Sequence, residues 1–207
     1  MSCEVIKSGS SGNAVLYFDS ILVDCGIPFA SLKPYLKQIQ LVLLTHEHGD
    51  HLNAATLKKL QGERPAVRIA SPKWLLDKLE GLRNVDVVEM NQFYDYVSFQ
   101  ISPFKLYHDV PNCGWRITKN GIFTFHATDT AHLEGISAIN YDIYAIEHNY
   151  DEEIIKGNIE KKKEAGQFAY QKGSLNTHLS AQSAQDFYLK NKHENSVLVR
   201  LHESKNN

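Results

Sequence analysis

The chain is short of cysteine, of net charge and of long apolar runs. Its three cysteines, Cys3, Cys25 and Cys113, are widely spaced and odd in number, which excludes a disulfide framework and a Cys-x-x-Cys zinc clip. Lys and Arg number 22 against 24 Asp and Glu, a formal net charge of −2. A molecule-wide basic field for nucleic acid is therefore absent, although a local basic patch remains compatible with this balance. No apolar run is long enough to cross a bilayer, and the opening MSCEVIKSGSSGNAVLYF has no long apolar core. Membrane spanning and secretion are disfavoured, and a soluble cytoplasmic protein is expected. Repeats, low-complexity tracts and linkers are missing too. What is present is 207 residues of ordinary globular composition, 43% hydrophobic and 22% charged, expected to form a single domain over 1–207.

The pattern reads as strands first and then strands alternating with helices. CEVIKS, AVLYF and SILVDCG are short strands, the first two separated by the loop SGSSGN. FASLKPYLKQI reads as a helix interrupted by Pro34, and QLVLLT as a strand buried on both faces. LNAATLKKLQG is helical with Gly62 as its expected C-cap, and PKWLLDKLEGL is helical with Pro72 at its first position. AVRIAS and VDVVEM flank that helix as strands. VSFQISPFKLYH is expected as a strand pair, and GWRITKNGIFTFHATD as a hairpin about Asn120-Gly121. DIYAIEHN and SVLVRLH are further strands. DEEIIKGNIEKKKEAGQFAYQ and SAQSAQDFYLKNK are helices, the latter capped by Ser180. Two runs of strands, each followed by strand–helix units, point to an α/β fold, a four-layer αββα sandwich.

Ten histidines stand out, and three of them fall in one short string, Thr45-His46-Glu47-His48-Gly49-Asp50-His51. If the strand before it persists, His46 and His48 leave the same face. Gly49 is expected to turn the chain sharply, bringing Asp50 and His51 to the entrance of the next helix. Imidazole nitrogen and carboxylate oxygen at the end of a rigid strand suit zinc, manganese or iron. The alternative, a solvated loop whose histidines do nothing, fits this density of ligands poorly.

With these residues the sequence resembles the metallo-β-lactamase superfamily, whose fold is the αββα sandwich, and the resemblance runs along essentially the whole chain. Asp24 in ILVDCG matches the first family motif, an aspartate behind the ligands, and His46, His48, Asp50 and His51 match the second. His108 in FKLYHD, Asp129 in HATDT and His202 in LVRLHES match the third, fourth and fifth. The resemblance implies two divalent metal ions, zinc or manganese. One would be held by His46, His48 and His108, the other by Asp50, His51 and His202, and Asp129 would bridge them. A carboxylate at the fourth motif suits two cations about 3.5–4 Å apart, whereas a cysteine there would mark the lactam-cleaving branch.

Further strings resemble the YycJ/WalJ-like exonuclease-type subgroup: SGSSGNA, EHNYD, THLSAQSAQ and LHESKNN. Tyr150 stands where that subgroup has histidine, and Thr177 where it has glycine. No β-CASP insertion fits between the motifs, and nothing resembles the protruding tRNA arm of ribonuclease Z. The small SGSSGN loop can bring backbone N–H groups near a phosphate, with Ser11 and Asn13 as substrate contacts, or can simply be a hairpin loop. His178 of THLS resembles the ribonuclease Z-type histidine that protonates the leaving oxygen; its alternative role is a helix cap.

The implied function is a binuclear phosphodiesterase, foremost a DNA exonuclease-type nuclease. It would use a metal-bridged hydroxide, with Asp50 orienting the nucleophile and His178 as general acid. A small cyclic nucleotide phosphodiesterase, like the phage anti-Pycsar proteins of the same superfamily, is the second enzymatic reading, and a metal-bound module without turnover is the third. The expected partner is a nucleic acid or nucleotide, with no membrane, and a homodimer is left open. Lys161-Lys162-Lys163 reads as a solvated helix face before a DNA patch, and Trp74 and Trp115 as packing before base platforms.

Overall fold

The short β-branched runs form twelve strands among the described residues, 3–157 and 174–203, of the computed structural model. They divide between two compact units, Met1–Phe93 and Tyr94–Asn207, each with one sheet.

The first unit carries β1 (Cys3–Lys7), β2 (Ala14–Tyr17), β3 (Ile21–Val23), β4 (Leu41–Leu43), β5 (Arg68–Pro72) and β6 (Val85–Val88), paired in that order. β1, β2 and β3 pair antiparallel, and β3 to β6 pair parallel. Parallel neighbours need crossovers, which are supplied by α1 (Phe29–Leu32) with a 3-10 turn at Lys33–Tyr35, by α2 (Ala54–Glu63) and by a 3-10 helix at Lys73–Leu79. Pro34 breaks the first of these as expected. Leu32, Leu57, Leu60 and Leu75 of the crossovers share one apolar core with Leu16, Leu22, Val42 and Ile69 of the strands.

Two helix details differ from the sequence reading. α2 continues through Gly62 and ends at Arg64, whose N–H donates to Leu60 O at 2.8 Å and whose Nη1 donates to Leu36 O at 2.9 Å. Side-chain anchoring thus replaces a glycine cap. Pro72 does not start a helix: it is the last residue of β5, paired with Val88, and the chain then winds as a 3-10 rather than an α-helix.

In the second unit the sheet order is β12-β11-β10-β9-β8-β7. Its strands are β7 (Tyr94–Tyr96), β8 (Phe99–Leu106), β9 (Asn112–Lys119), β10 (Ile122–Ala127), β11 (Ile143–Glu147) and β12 (Val197–Leu201). β7 to β10 pair antiparallel, and β10, β11 and β12 pair parallel. Asn120 and Gly121 both take positive φ, 53° and 75°, as a two-residue hairpin turn requires. Residues 97–108 hold one long strand rather than a pair. β7 pairs only with Phe99–Ile101, so Pro103 forfeits no ladder bond on that side. The described helices are α3 (152–157), α4 (Ser174–Thr177) and α5 (Ala181–Asn191). The rest of the helix expected over 151–171, with Lys161–Lys163, lies outside the described residues. Ser180 caps α5 as expected, accepting from Ser183 N at 3.0 Å. Leu179, Ala184, Phe187 and Tyr188 pack on Phe104, Phe125, Tyr144 and Ile146 of the sheet. Trp115 is fully buried and Trp74 packs against the first unit's core, both as packing residues.

Candidate metal centre

In the first unit the ligand-type side chains gather just beyond the C-terminal ends of parallel strands, where open α/β sheets place their sites. Asp24 follows β3 directly and sits at φ 60°, a left-handed conformation uncommon for a residue other than glycine. Its carboxylate is buried and accepts from Thr45 N (3.0 Å), Thr45 Oγ1 (2.9 Å) and His51 Nδ1 (2.6 Å). With its proton fixed on Nδ1, His51 presents Nε2 as the electron-pair donor. Thr45 Oγ1 also meets His46 Nδ1 at 2.9 Å, which likewise turns the His46 Nε2 outward. Burial raises the Asp24 carboxyl above its ordinary range, and the charge and hydrogen bond of His51 pull against that.

The strand itself stops at Leu43 and does not persist to His48, yet the rings converge. His46 lies edge-on to His48 with centroids 4.8 Å apart, and 4.1 Å from His51. Gly49 does not make the turn by backbone freedom: its φ lies outside the left-handed region and a Cβ there would meet nothing within 4 Å. Instead His48 O accepts from His51 N and Leu52 N, both at 2.9 Å, and Asn53 caps α2 by accepting from Thr56 N. The glycine the loop needs is Gly26. A Cβ on it would stand 1.7 Å from Asp50 O and 2.5 Å from His51 N.

Asn13 is 4% exposed and its amide reaches Asp50 and His51. Its Nδ2 stands 2.8 Å from His51 Nε2 and donates to Asp50 Oδ2 at 3.3 Å, while its backbone N–H donates to Asp50 O at 2.6 Å. Asn13 therefore ties the SGSSGN loop to the ligand string. Ser11 lies exposed at the surface, its carbonyl accepting from Lys7 Nζ at 2.7 Å.

The second unit builds a matching group. His108 follows β8, and its Nδ1 donates to Thr177 O at 2.8 Å, which turns Nε2 toward the neighbouring carboxylates. That Nε2 is 3.0 Å from Asp109 Oδ1 and 3.8 Å from Asp129 Oδ2. Asp129 is buried at φ 56°, and its other oxygen, Oδ1, accepts from Thr128 Oγ1 at 2.8 Å and lies 3.7 Å from His202 Nε2. Each oxygen of Asp129 thus faces a different imidazole. His202 follows β12 at φ 51°; Asn149 Nδ2 is 2.9 Å from its Nδ1, leaving Nε2 toward Asp129.

Glu147, the last residue of β11 and fully buried, joins this cluster without being singled out by the sequence pattern. Its Oε2 accepts from Thr130 N (2.9 Å) and Leu179 N (3.1 Å), and its Oε1 is hydrogen-bonded to His178 Nδ1. Ligand atoms of Asp129, Glu147, His178 and His202 all lie within 4.8 Å of one another. Burial opposes charge on His178, but the hydrogen bond and charge of Glu147, with Asp129 and Asp109, outweigh it and raise the imidazole above its ordinary pKa. Burial raises Glu147 as well, and the bond from His178 works against that rise. The missed signal was an acid ending the otherwise apolar run IYAIE. Ser180, rather than His178, does the capping. His126 is buried in β10 opposite Trp115, consistent with packing. His132 stacks on Tyr107, and His193 Nε2 meets Asp142 Oδ1 at 3.2 Å.

Residues 19–187 match the model of the Beta-lactamase superfamily domain. The chain belongs to that family. A UPF0173 metal-dependent hydrolase of Pyrococcus furiosus is 29% identical over 143 residues, 61% of this chain and 62% of that protein. The chain thus spans about three-fifths of the length of the curated relatives it matches first. The metallo-β-lactamase fold protein YhfI of Bacillus subtilis aligns with a TM-score of 0.70 at 20% identity, over 98% of this chain and 85% of that one. Human tRNase Z, short form, aligns with a TM-score of 0.71 at 18% identity, over 100% of this chain and 93% of that one. These likenesses show the metallo-β-lactamase fold, the α/β class expected from the sequence. The family's donor set also fits the residues present, since imidazole nitrogens and carboxylate oxygens are what a divalent transition cation takes. His46, His51 and His108 are further oriented through Nδ1, as metal-binding histidines are.

Proposed function

We propose that the protein is a metal-dependent hydrolase of phosphodiesters, a nuclease of the YycJ/WalJ-like exonuclease type, with a nucleic acid or nucleotide as substrate. The proposed ligands are His46, His48 and His108 for one divalent cation, zinc or manganese, and Asp50, His51 and His202 for a second, with Asp129 shared. This division follows the family motifs. The observation that carries the reading is the second unit's arrangement, in which Asp129 turns one oxygen to each of two imidazoles beside a histidine held by a buried glutamate.

Cations bound there supply Lewis acidity, polarising the phosphoryl group and acidifying water. The side chains do the rest. Asp50 orients the attacking water. Glu147 fixes the His178 ring and favours its protonated form, so that the imidazolium can donate to the leaving oxygen, the task of a general acid. The fold shared with human tRNase Z supports a phosphodiester as substrate.

The test is hydrolysis of end-labelled DNA, single-stranded RNA, cyclic mononucleotides and bis(p-nitrophenyl) phosphate with added Mn²⁺ or Zn²⁺. Turnover of the diester model and of a polynucleotide, with binding that weakens steeply with salt, is expected. Salt-insensitive turnover of cyclic nucleotides alone would reassign the substrate. Bound metal with no hydrolysis of any of these would overturn the enzymatic reading.

A further inference from the structure

In the unit Tyr94–Asn207 a groove of about 390 Å³ lies between α5 and the loop that follows Asp129. Its apolar surface comes from Leu133, Leu179 and Phe187, and His132 adds a second ring. Both rings are held by stacking: His132 on Tyr107 at 4.2 Å between centroids, and Phe187 on Phe125 at 5.3 Å. Glu134, Asp186 and Lys190 also line it, and among the described residues the charged ends of these three make no ion pair or hydrogen bond. An apolar floor with stacked rings and a few charged groups at its exposed rim is what a small-molecule site presents.

Part of the groove's lining comes from immediate chain neighbours of the site. Leu179 follows His178, and its N–H holds Glu147 Oε2; Ala131 lies two residues after Asp129, and the intervening Thr130 N–H holds the same oxygen. Consecutive Cα atoms are about 3.8 Å apart, so a ligand in the groove lies within about one nucleotide's reach of both.

We propose that this groove receives the base of the substrate nucleotide and favours bases with an exocyclic amine; the inference rests on the phosphodiester reading above. The volume suits a nucleoside. The ring face lies on the apolar floor, where stacking tolerates any base. Carboxylates accept amine hydrogens, as they do from cytosine N4, and Lys190 donates to a ring nitrogen or carbonyl. Two carboxylates against one ammonium repel a phosphate, so the phosphoryl group points out of the groove, toward Asp129 and His178.

Calorimetric titration of the metal-reconstituted protein with cytidine 5′-monophosphate, uridine 5′-monophosphate and ribose 5-phosphate tests this. Cytidine monophosphate is expected to bind about tenfold more tightly than ribose 5-phosphate and more tightly than the uridine compound. Ser183 is exposed on α5 and lines the groove. Ser183→Trp should fill the groove and erase the advantage over ribose 5-phosphate, with thermal stability and bis(p-nitrophenyl) phosphate hydrolysis unchanged. Glu134→Gln with Asp186→Asn should erase the preference for cytidine over uridine. Equal binding of cytidine monophosphate and ribose 5-phosphate, or a base advantage that survives Ser183→Trp, overturns the proposal. Base-dependent binding without any diester hydrolysis leaves the groove standing and removes the reaction assigned to the site instead. Competition by an oligonucleotide or by a cyclic mononucleotide tells whether the base arrives on a strand or free.

Discussion

Replacing Gly26 by alanine is the sharpest available test of how the ligand string is held. The new methyl carbon would stand 1.7 Å from Asp50 O and 2.5 Å from His51 N, both backbone atoms that no rotamer change can move. Restoring ordinary contact requires the 50–51 segment to retreat by roughly 1–2 Å. That retreat breaks the bonds anchoring it, Cys25 N to His51 O (2.9 Å), Asn13 N to Asp50 O (2.6 Å) and Asn53 N to Cys25 O (3.0 Å). A buried backbone group left unmade costs about 1–3 kcal/mol, so the loss comes to about 4 kcal/mol and, in a chain of this size, to a fall in Tm of about 10 °C. Gly49→Ala is the control, because a Cβ there meets nothing and its effect should stay within about 1 kcal/mol. Circular-dichroism melts in chelator report stability, and competition with a chromophoric chelator reports zinc affinity, expected to fall at least tenfold in Gly26→Ala. If Gly26→Ala matched Gly49→Ala in both readings, the idea that close backbone approach positions His51 and Asp50 would be wrong.

Other outcomes follow from the same geometry. Asp24→Ala should cost about 3–5 kcal/mol, because it leaves the buried His51 without its partner, and should weaken zinc binding about 10- to 100-fold; melts and chelator competition would show neither if Asp24 were a bystander. Asp129→Ala should release metal and abolish turnover, and a fully active, metal-replete variant by elemental analysis would refute the shared carboxylate. Glu147→Gln removes the charge that offsets the burial of His178, so the imidazole pKa should drop. Since His178 is raised in the fold, its contribution to stability is complete below the unfolded value of about 6.5 and is lost as pH rises through the higher folded value. In the variant that loss, and the alkaline fall in activity, should move to lower pH. Imidazole NMR titration of the metal-free protein checks it, and an unshifted His178 curve would contradict the pairing.

Residues that announce themselves by local pattern were legible in the sequence. The Asn120-Gly121 turn, the Pro34 interruption and the Ser180 cap each depend on neighbours within a few positions, and each stands where the pattern put it; the rings of His46, His48 and His51 converge although the strand before them stops at Leu43. The bracing partners depend on contacts that no local pattern encodes. Asp24 grips Thr45 and His51 across 21 and 27 positions, and Glu147 grips His178 across 31. Gly26 is needed for a segment two dozen residues away, while Gly49, within the motif, is not. Residues 97–108 form one long strand where their pattern suggests a pair, and the short reach of β7 spares Pro103 a ladder bond on that side.

Asn13 shows how a residue type fixes chemistry before it fixes a role. A small amide in a glycine-rich loop suits a phosphate contact equally well on paper. Buried against Gly9, Asp50 and His51, it instead spends its hydrogen bonds inside the protein. The two units reach this economy separately. Asp24 and Thr45 brace the imidazoles of the first, and Glu147, Asn149 and the Thr177 carbonyl those of the second. Asp24, Asp129 and His202 also take left-handed backbone just past their strands, a strain retained where rigid surroundings enforce it. A donor set so constrained loses little freedom when a cation arrives, so affinity is governed by these braces as much as by the ligands. Substitutions at Asp24 and Glu147 should therefore separate metal affinity from proton transfer, the first moving chelator competition and the second the pH profile.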